Sequence, residues 1–237
     1  MRRTFLKLFG LAVMTGLLFG CAKFPQTGTG TFTKRLIFTL TVDGQIRSGQ
    51  APGQLGLPYV YIVALRLSTD PAPIDNGPIP VVVPSGNGFV AGNATHYITW
   101  NPIASPQFQI WQFRDATLNE AFSVGVPINS QPYQEGDRTL QFEIDMSQLV
   151  PAADVDTIQS VQLNFLTMNN TNTSGGGRIW DALGDARIPT LINSFFTLQP
   201  RSSQTYNNTN QAQLEPRGDC PDPDLDLVDW SVEVRIQ

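Results

Sequence analysis

The chain has 237 residues, with 15 Lys and Arg against 20 Asp and Glu and a formal net charge of −5. An acidic balance without a basic cluster argues against nucleic acid and anionic lipid surfaces as partners, because both select cationic patches. Only 15% of residues are charged while 41% are hydrophobic, so the composition suits a chain that buries a core rather than a disordered one.

The chain opens with Arg2, Arg3 and Lys7, then an apolar run from Leu8 to Phe19, then Leu18-Phe19-Gly20-Cys21. The run is shorter than the roughly 20 apolar residues that span a bilayer core, and a positive flank ahead of it fits a helical signal peptide. The order of charge, apolar stretch, small residue and cysteine resembles the lipobox of bacterial lipoprotein precursors. The resemblance implies cleavage before Cys21 and a diacylglycerol on its sulfur. It divides the chain into a signal peptide (1–20), a lipidated cysteine with a flexible Gly/Thr-rich tether (21–31) and a single domain (32–237). It places the domain in the bacterial cell envelope, membrane-anchored and extracytoplasmic. Ala22 in place of Asp after the cysteine resembles the outer-membrane sorting pattern of diderm envelopes.

Beyond the tether, Leu36, Phe38, Leu40 and Val42 share one face of a half-buried strand, followed by the turn signal Asp43-Gly44. Tyr59 to Ser68 is apolar on both faces and reads as a central strand covered on both sides. Thr69 to Gly88 is a Pro- and Gly-rich loop with an edge strand expected at Ile79 to Val83. Thr95 to Trp100 and Phe108 to Phe113 are the next strands. Thr139 to Asp145 alternates cleanly, with Leu140, Phe142 and Ile144 in and Gln141, Glu143 and Asp145 out. Ser147 to Val150 reads as one helical turn, and Val161, Leu163 and Phe165 share a face of the following strand. Asn169 to Gly177 is a polar excursion. Leu191 to Leu198 fits either a helix or a strand. Tyr206 to Asp226 is a second long loop, before a terminal strand with Val228, Trp230, Val232, Val234 and Ile236 on one face.

Many short strands with turn signals between them and no long amphipathic helix predict an all-β, antiparallel β-sandwich. There are two cysteines. With Cys21 acylated, Cys220 has no intramolecular partner, which excludes a disulfide framework.

The single histidine, His96, shares a strand face with Ile98 and Trp100 and reads as structural. One histidine is too few for common zinc sites, and no Gly-rich phosphate loop with Lys, Cys-x-x-Cys or Gly-x-Ser-x-Gly pattern appears. Asn-x-Ser/Thr, as at Asn93 and Asn207, is turn chemistry in such a protein. Asp137, Glu143, Asp145, Asp181 and Asp185 are available as paired carboxylates for glycoside hydrolysis, but no spacing singles out a pair. In Asp219-Cys-Pro-Asp-Pro-Asp-Leu-Asp226, hard oxygen ligands alternate, which suits calcium and makes Asp222, Asp224 and Asp226 the candidate metal ligands. Tyr97, Trp100, Trp111 and Trp180 are the candidate ligand face, an aromatic platform of the kind on which sugar rings stack.

The segments Leu140-Gln-Phe-Glu-Ile-Asp-Met-Ser-Gln-Leu149, Val161-Gln-Leu-Asn-Phe165, Asp181-Ala-Leu-Gly184 and Leu225-Asp-Leu-Val-Asp-Trp-Ser-Val232 together resemble the DOMON-like sandwich superfamily, which includes family 9 carbohydrate-binding modules. The resemblance implies sugar or haem as ligand. Haem-binding members use Met and His axial ligands, which here points to His96 with Met146 or Met168. Sugar-binding members often hold structural calcium. The expectation is a non-catalytic, envelope-anchored binding or structural domain, with polysaccharide or an envelope protein as partner. The alternative is an envelope hydrolase using paired carboxylates.

Overall fold

The computed structural model describes residues 34–47, 59–81, 86–101, 104–169, 178–188, 194–212 and 214–237. The leader, Cys21 and the tether lie outside the described residues, as do most of the polar excursion and the first residues of the ambiguous 191–198 segment. Among the described residues, no helix is long and apolar enough to cross a membrane.

Fourteen strands form among the described residues. The first seven are β1 (Lys34–Val42), β2 (Val60–Ser68), β3 (Pro78–Pro80), β4 (Val90–Gly92), β5 (His96–Trp100), β6 (Phe108–Phe113) and β7 (Ala121–Gly125). The others are β8 (Asn129–Ser130), β9 (Thr139–Asp145), β10 (Ser160–Met168), β11 (Trp180–Ala182), β12 (Phe196–Leu198), β13 (Gln204–Asn207) and β14 (Leu227–Ile236). They build an antiparallel β-sandwich. One sheet runs β13-β14-β1-β9-β8, and the larger runs β11-β10-β2-β5-β6-β7 with β12 also pairing β10. β3 and β4 form a separate hairpin.

The alternation that defined the strands also fills the core. Because successive side chains leave a strand on opposite faces, Leu36, Phe38 and Leu40 of β1, Phe142 of β9 and Trp230 and Val232 of β14 pack against Val63 of β2, Ile98 of β5 and Leu163 and Phe165 of β10. Phe165 bridges the two layers, with its ring centroid 6.4 Å from Phe38 and 5.8 Å from Trp230. β2 is apolar on both faces because it is covered on both. Its outward Val60, Ile62 and Ala64 join a second cluster with Tyr97, Phe113, Leu166 and Met168, and Val90 of the hairpin packs onto it.

Several local expectations shift. The edge strand forms at Pro78–Pro80, and Phe196–Leu198 is strand, paired with β10. The helical turn is 3-10, Met146–Gln148, held by a capping box in which Asp145 accepts from Ser147 N and Gln148 accepts from Asp145 N. The outward acids of β9 are not solvated. Glu143 is buried against Arg35 at 3.0 Å, and Asp145 is spent on its cap. β13 and its Tyr206 replace the start of the second long loop.

Candidate functional site

The loop that leads into β14 folds back over one end of the sandwich. Asp43 N donates to Asp226 O at 2.8 Å, and Thr167 Oγ1 donates to Leu225 O, so the loop is bonded to both sheets. This closure brings Asp219 and Asp226 against Asp181 of the edge strand β11. Each of the three offers a carboxylate oxygen, and these oxygens lie within 4.8 Å of one another. Glu215, from the same loop, is buried beside them.

Backbone amides orient all four acids. Asp181 accepts from Ala182 N at 2.9 Å and Leu227 N at 2.7 Å, and Asp226 from Gly218 N at 2.7 Å and Cys220 N at 3.1 Å. Asp219 Oδ2 accepts from Ala186 N at 2.8 Å, and Glu215 Oε1 from Gly184 N at 2.6 Å. The second oxygens of the last two, Asp219 Oδ1 and Glu215 Oε2, are buried without a hydrogen-bond partner. No member of the cluster makes an ion pair among the described residues. Burial, and then the neighbouring Asp219, push Asp181 well above the usual carboxylate range. Burial, and then Asp181, do the same to Glu215. Asp219 is pushed up to about 6, mainly by burial, with further upward contributions from a hydrogen bond and charge repulsion with Asp226.

The Asp222–Asp224–Asp226 trio expected from spacing is divided. Only Asp226 reaches the cluster. Asp222 accepts from the Tyr59 hydroxyl at 2.7 Å, and Asp224 accepts from Gln45 N at 2.8 Å and from the Arg47 guanidinium. The change of side falls between Asp224 and Asp226, so Asp222 and Asp224 together tie the loop to the residues after β1 and before β2. Gly44 belongs to the same tie, since a Cβ there would run into the Asp224 side chain and the Pro223 backbone.

The aromatic face is likewise redrawn. Trp100 points into the core at 1% exposure and packs on Tyr61 and Tyr133. It therefore leaves the expected platform, as parity along β5 requires when Tyr97 faces outward. Tyr97 and the half-buried Trp111 stand side by side on the outer face of the larger sheet, their rings 6.0 Å apart and 8° from parallel. Phe89 meets the Tyr97 edge at 4.9 Å. With Thr99 and Asn101 they line an open 170 Å³ pocket, and Trp111 Nε1 donates to Thr99 Oγ1 at 3.3 Å. Trp180 lies on β11, three strands from β5.

The other candidates separate. His96, 2% exposed, faces inward on a 590 Å³ cleft, with Nδ1 3.0 Å from Thr95 Oγ1. Burial pushes it down to about 4, against a smaller opposing pull from the backbone of Leu149. Met168 belongs to the outer cluster, on the face opposite His96, so these two cannot flank one haem. Met146 sits in the inner core. Asp137 holds Gln134 N, and Asp185 is paired with Arg187 at 2.8 Å, which holds it below the usual carboxylate range. Burial pushes the Cys220 thiol up to about 12, which keeps it unreactive.

The fold and site thus define an antiparallel sandwich with an outer aromatic pocket and a buried acid cluster at one end. No protein-family model, curated protein or solved structure matches the chain.

Of the acid cluster, the alternating loop pattern pointed to Asp226 alone. Asp181 carried one local sign, an acid between apolar residues in Trp180-Asp-Ala-Leu183. Nothing near Glu215 in sequence marks it, because its partners come from a different element.

Proposed function

We propose that this protein is a bacterial cell-envelope lipoprotein, anchored through Cys21, that displays a non-catalytic β-sandwich for binding carbohydrate. The leader supports the anchor. The observation that carries the ligand class is the parallel Tyr97–Trp111 pair lining an open pocket on the outer sheet face, Trp111 half-buried and Tyr97 7% exposed, with the polar groups of Thr99 and Asn101 beside it. Apolar walls with a few placed hydrogen-bonding groups match a sugar ring, which has an apolar face and a hydroxyl rim. Placement of the acids supports the non-catalytic reading. Asp181 is 0% exposed, and Glu143 is closed off by Arg35, so neither offers a carboxylate to a polysaccharide in a cleft.

A glycan array probed with residues 32–237 tests the ligand class. Trp111→Ala should weaken binding roughly tenfold or more, about 1.4 kcal/mol, while Trp180→Ala leaves it unchanged. An array without hits, or equal binding by Trp111→Ala, would refute the assignment. Intact mass of the membrane-extracted protein tests the anchor, since the mature N-terminus should be an acylated Cys21 and Cys21→Ser should accumulate as unlipidated precursor.

A further inference from the structure

The geometry points to a calcium-binding centre made by Asp181, Asp219 and Asp226, with the buried Glu215 beside it, that fastens the loop preceding β14 to the edge strand β11. The inference stands apart from the carbohydrate reading, because it uses neither the aromatic pocket nor the anchor.

Spacing comes first. Calcium takes oxygen ligands at about 2.3–2.6 Å, so ligands of one ion lie within about twice that radius of each other. The three carboxylate oxygens meet this limit, lying within 4.8 Å of one another. Orientation follows. Each acid already accepts at least one backbone N–H, and these bonds fix the carboxylates as outer-shell donors fix metal ligands.

The independent sign is the pair of orphaned oxygens. Glu215 is 5% exposed, and its Oε2 has no hydrogen-bond partner. Asp219 is half-buried, but its Oδ1 is out of solvent and likewise without a partner. The large majority of buried side-chain acceptors are satisfied, and buried like charges are strongly unfavourable without a counter-charge. A divalent cation held by the three clustered carboxylates would supply the missing counter-charge and offset the repulsion among all four acids.

Donor chemistry selects the ion. An all-carboxylate set suits hard cations rather than zinc or copper. Magnesium keeps several waters and demands near-octahedral geometry, whereas calcium accepts an irregular shell of protein oxygens. That favours calcium where Asp181 is wholly out of solvent.

The test uses the full chain, extracted in detergent and stripped with a chelator. Calcium chloride should titrate one ion per chain by calorimetry. At a hundredfold excess over its dissociation constant it should raise the melting temperature by about 5–10 °C. Asp219→Asn should weaken calcium binding at least tenfold, and Glu215→Gln, which removes a neighbouring charge, by less. Both should still melt in chelator at or above the temperature of the wild type in chelator, because an amide relieves the repulsion; that readout separates a lost ligand from a failed fold. Asp222→Asn should keep the whole calcium response. Melting curves that superimpose with calcium and with chelator would overturn the proposal and leave protons as the neutralising species. An undiminished response in Asp219→Asn, or its loss in Asp222→Asn, would overturn the placement. An equal response to magnesium chloride would overturn the choice of ion.

Discussion

Two groups of acids on one loop meet opposite surroundings. Asp222 and Asp224 each face donors from elsewhere in the chain, namely the Tyr59 hydroxyl, Gln45 N and Arg47. Asp226, two residues on, faces Asp219 and Asp181 instead. The first group closes its own electrostatics and acts as a tie. The second sets acids against acids, and the proposed calcium would supply the missing counter-charge. What an acid does is settled by what the fold sets opposite it, and residue type and spacing leave that open.

Both groups hang from the start of β14, so the largest break comes from loosening that strand. Trp230 is 1% exposed and stacks on Phe196 at 4.6 Å. Trp230→Ala should lower unfolding free energy by about 3–5 kcal/mol in denaturant titrations. A loss below roughly 1 kcal/mol would place the ring outside the core and unseat both acid groups from their common support.

His96 sharpens the comparison by isolating burial. Asp181, Glu215 and Asp219 are shifted by burial and by neighbouring acids, whereas the residues lining the His96 cleft include no other ionisable side chain. Its folded pKa of about 4 lies below its ordinary 6.5. Above pH 6.5 both folded and unfolded forms are neutral and the histidine costs nothing. As pH falls from 6.5 towards 4 the unfolded chain takes up the proton first, so stability is lost by about 3 kcal/mol across that window. Subtracting a His96→Leu variant isolates this loss from the carboxylates. A difference between the two proteins that stays constant from pH 7 to pH 4.5 would mean that burial does not shift this group.

The smallest effects set the two acid groups against each other directly. Asp224→Ala removes the acceptor of the Gln45 amide and should cost about 1.5–3 kcal/mol. Arg47 adds little to that, being half-exposed. Asp219→Asn in chelator should cost nothing or stabilise slightly. Equal destabilisation by both, measured by thermal melts in chelator, would erase the distinction between a satisfied and an unsatisfied acid.

Sequence legibility followed the length of each signal. β1, β9 and β14 were readable because three or more alternate positions repeat the same inward choice. β3, β4, β11 and β12 have three residues each, too few for any period, and exist because a longer neighbour supplies the pairing. The same parity that put His96, Ile98 and Trp100 on one face of β5 also removes Trp100 from any surface shared with Tyr97. The acid cluster was the least legible. Asp181 on β11 and Asp226 on the loop before β14 are far apart in the chain, and no local pattern encodes a meeting made by the closure of the whole sandwich.

The pairing of β1 with β14 bears on mechanics. Lys34 lies opposite Ile236, so tension on the tether ahead of Lys34 enters the sheet at the point where the chain leaves it. β1 is flanked by β14 on one side and β9 on the other. A pull along its axis therefore loads two ladders of hydrogen bonds together, so rungs in both must yield at once before the strand can slip. A pull between the two ends of the chain instead peels the β1–β14 ladder from its end, one rung after another. In the proposed tethered state, a domain gripping a polymer on its far sheet would meet the first kind of load.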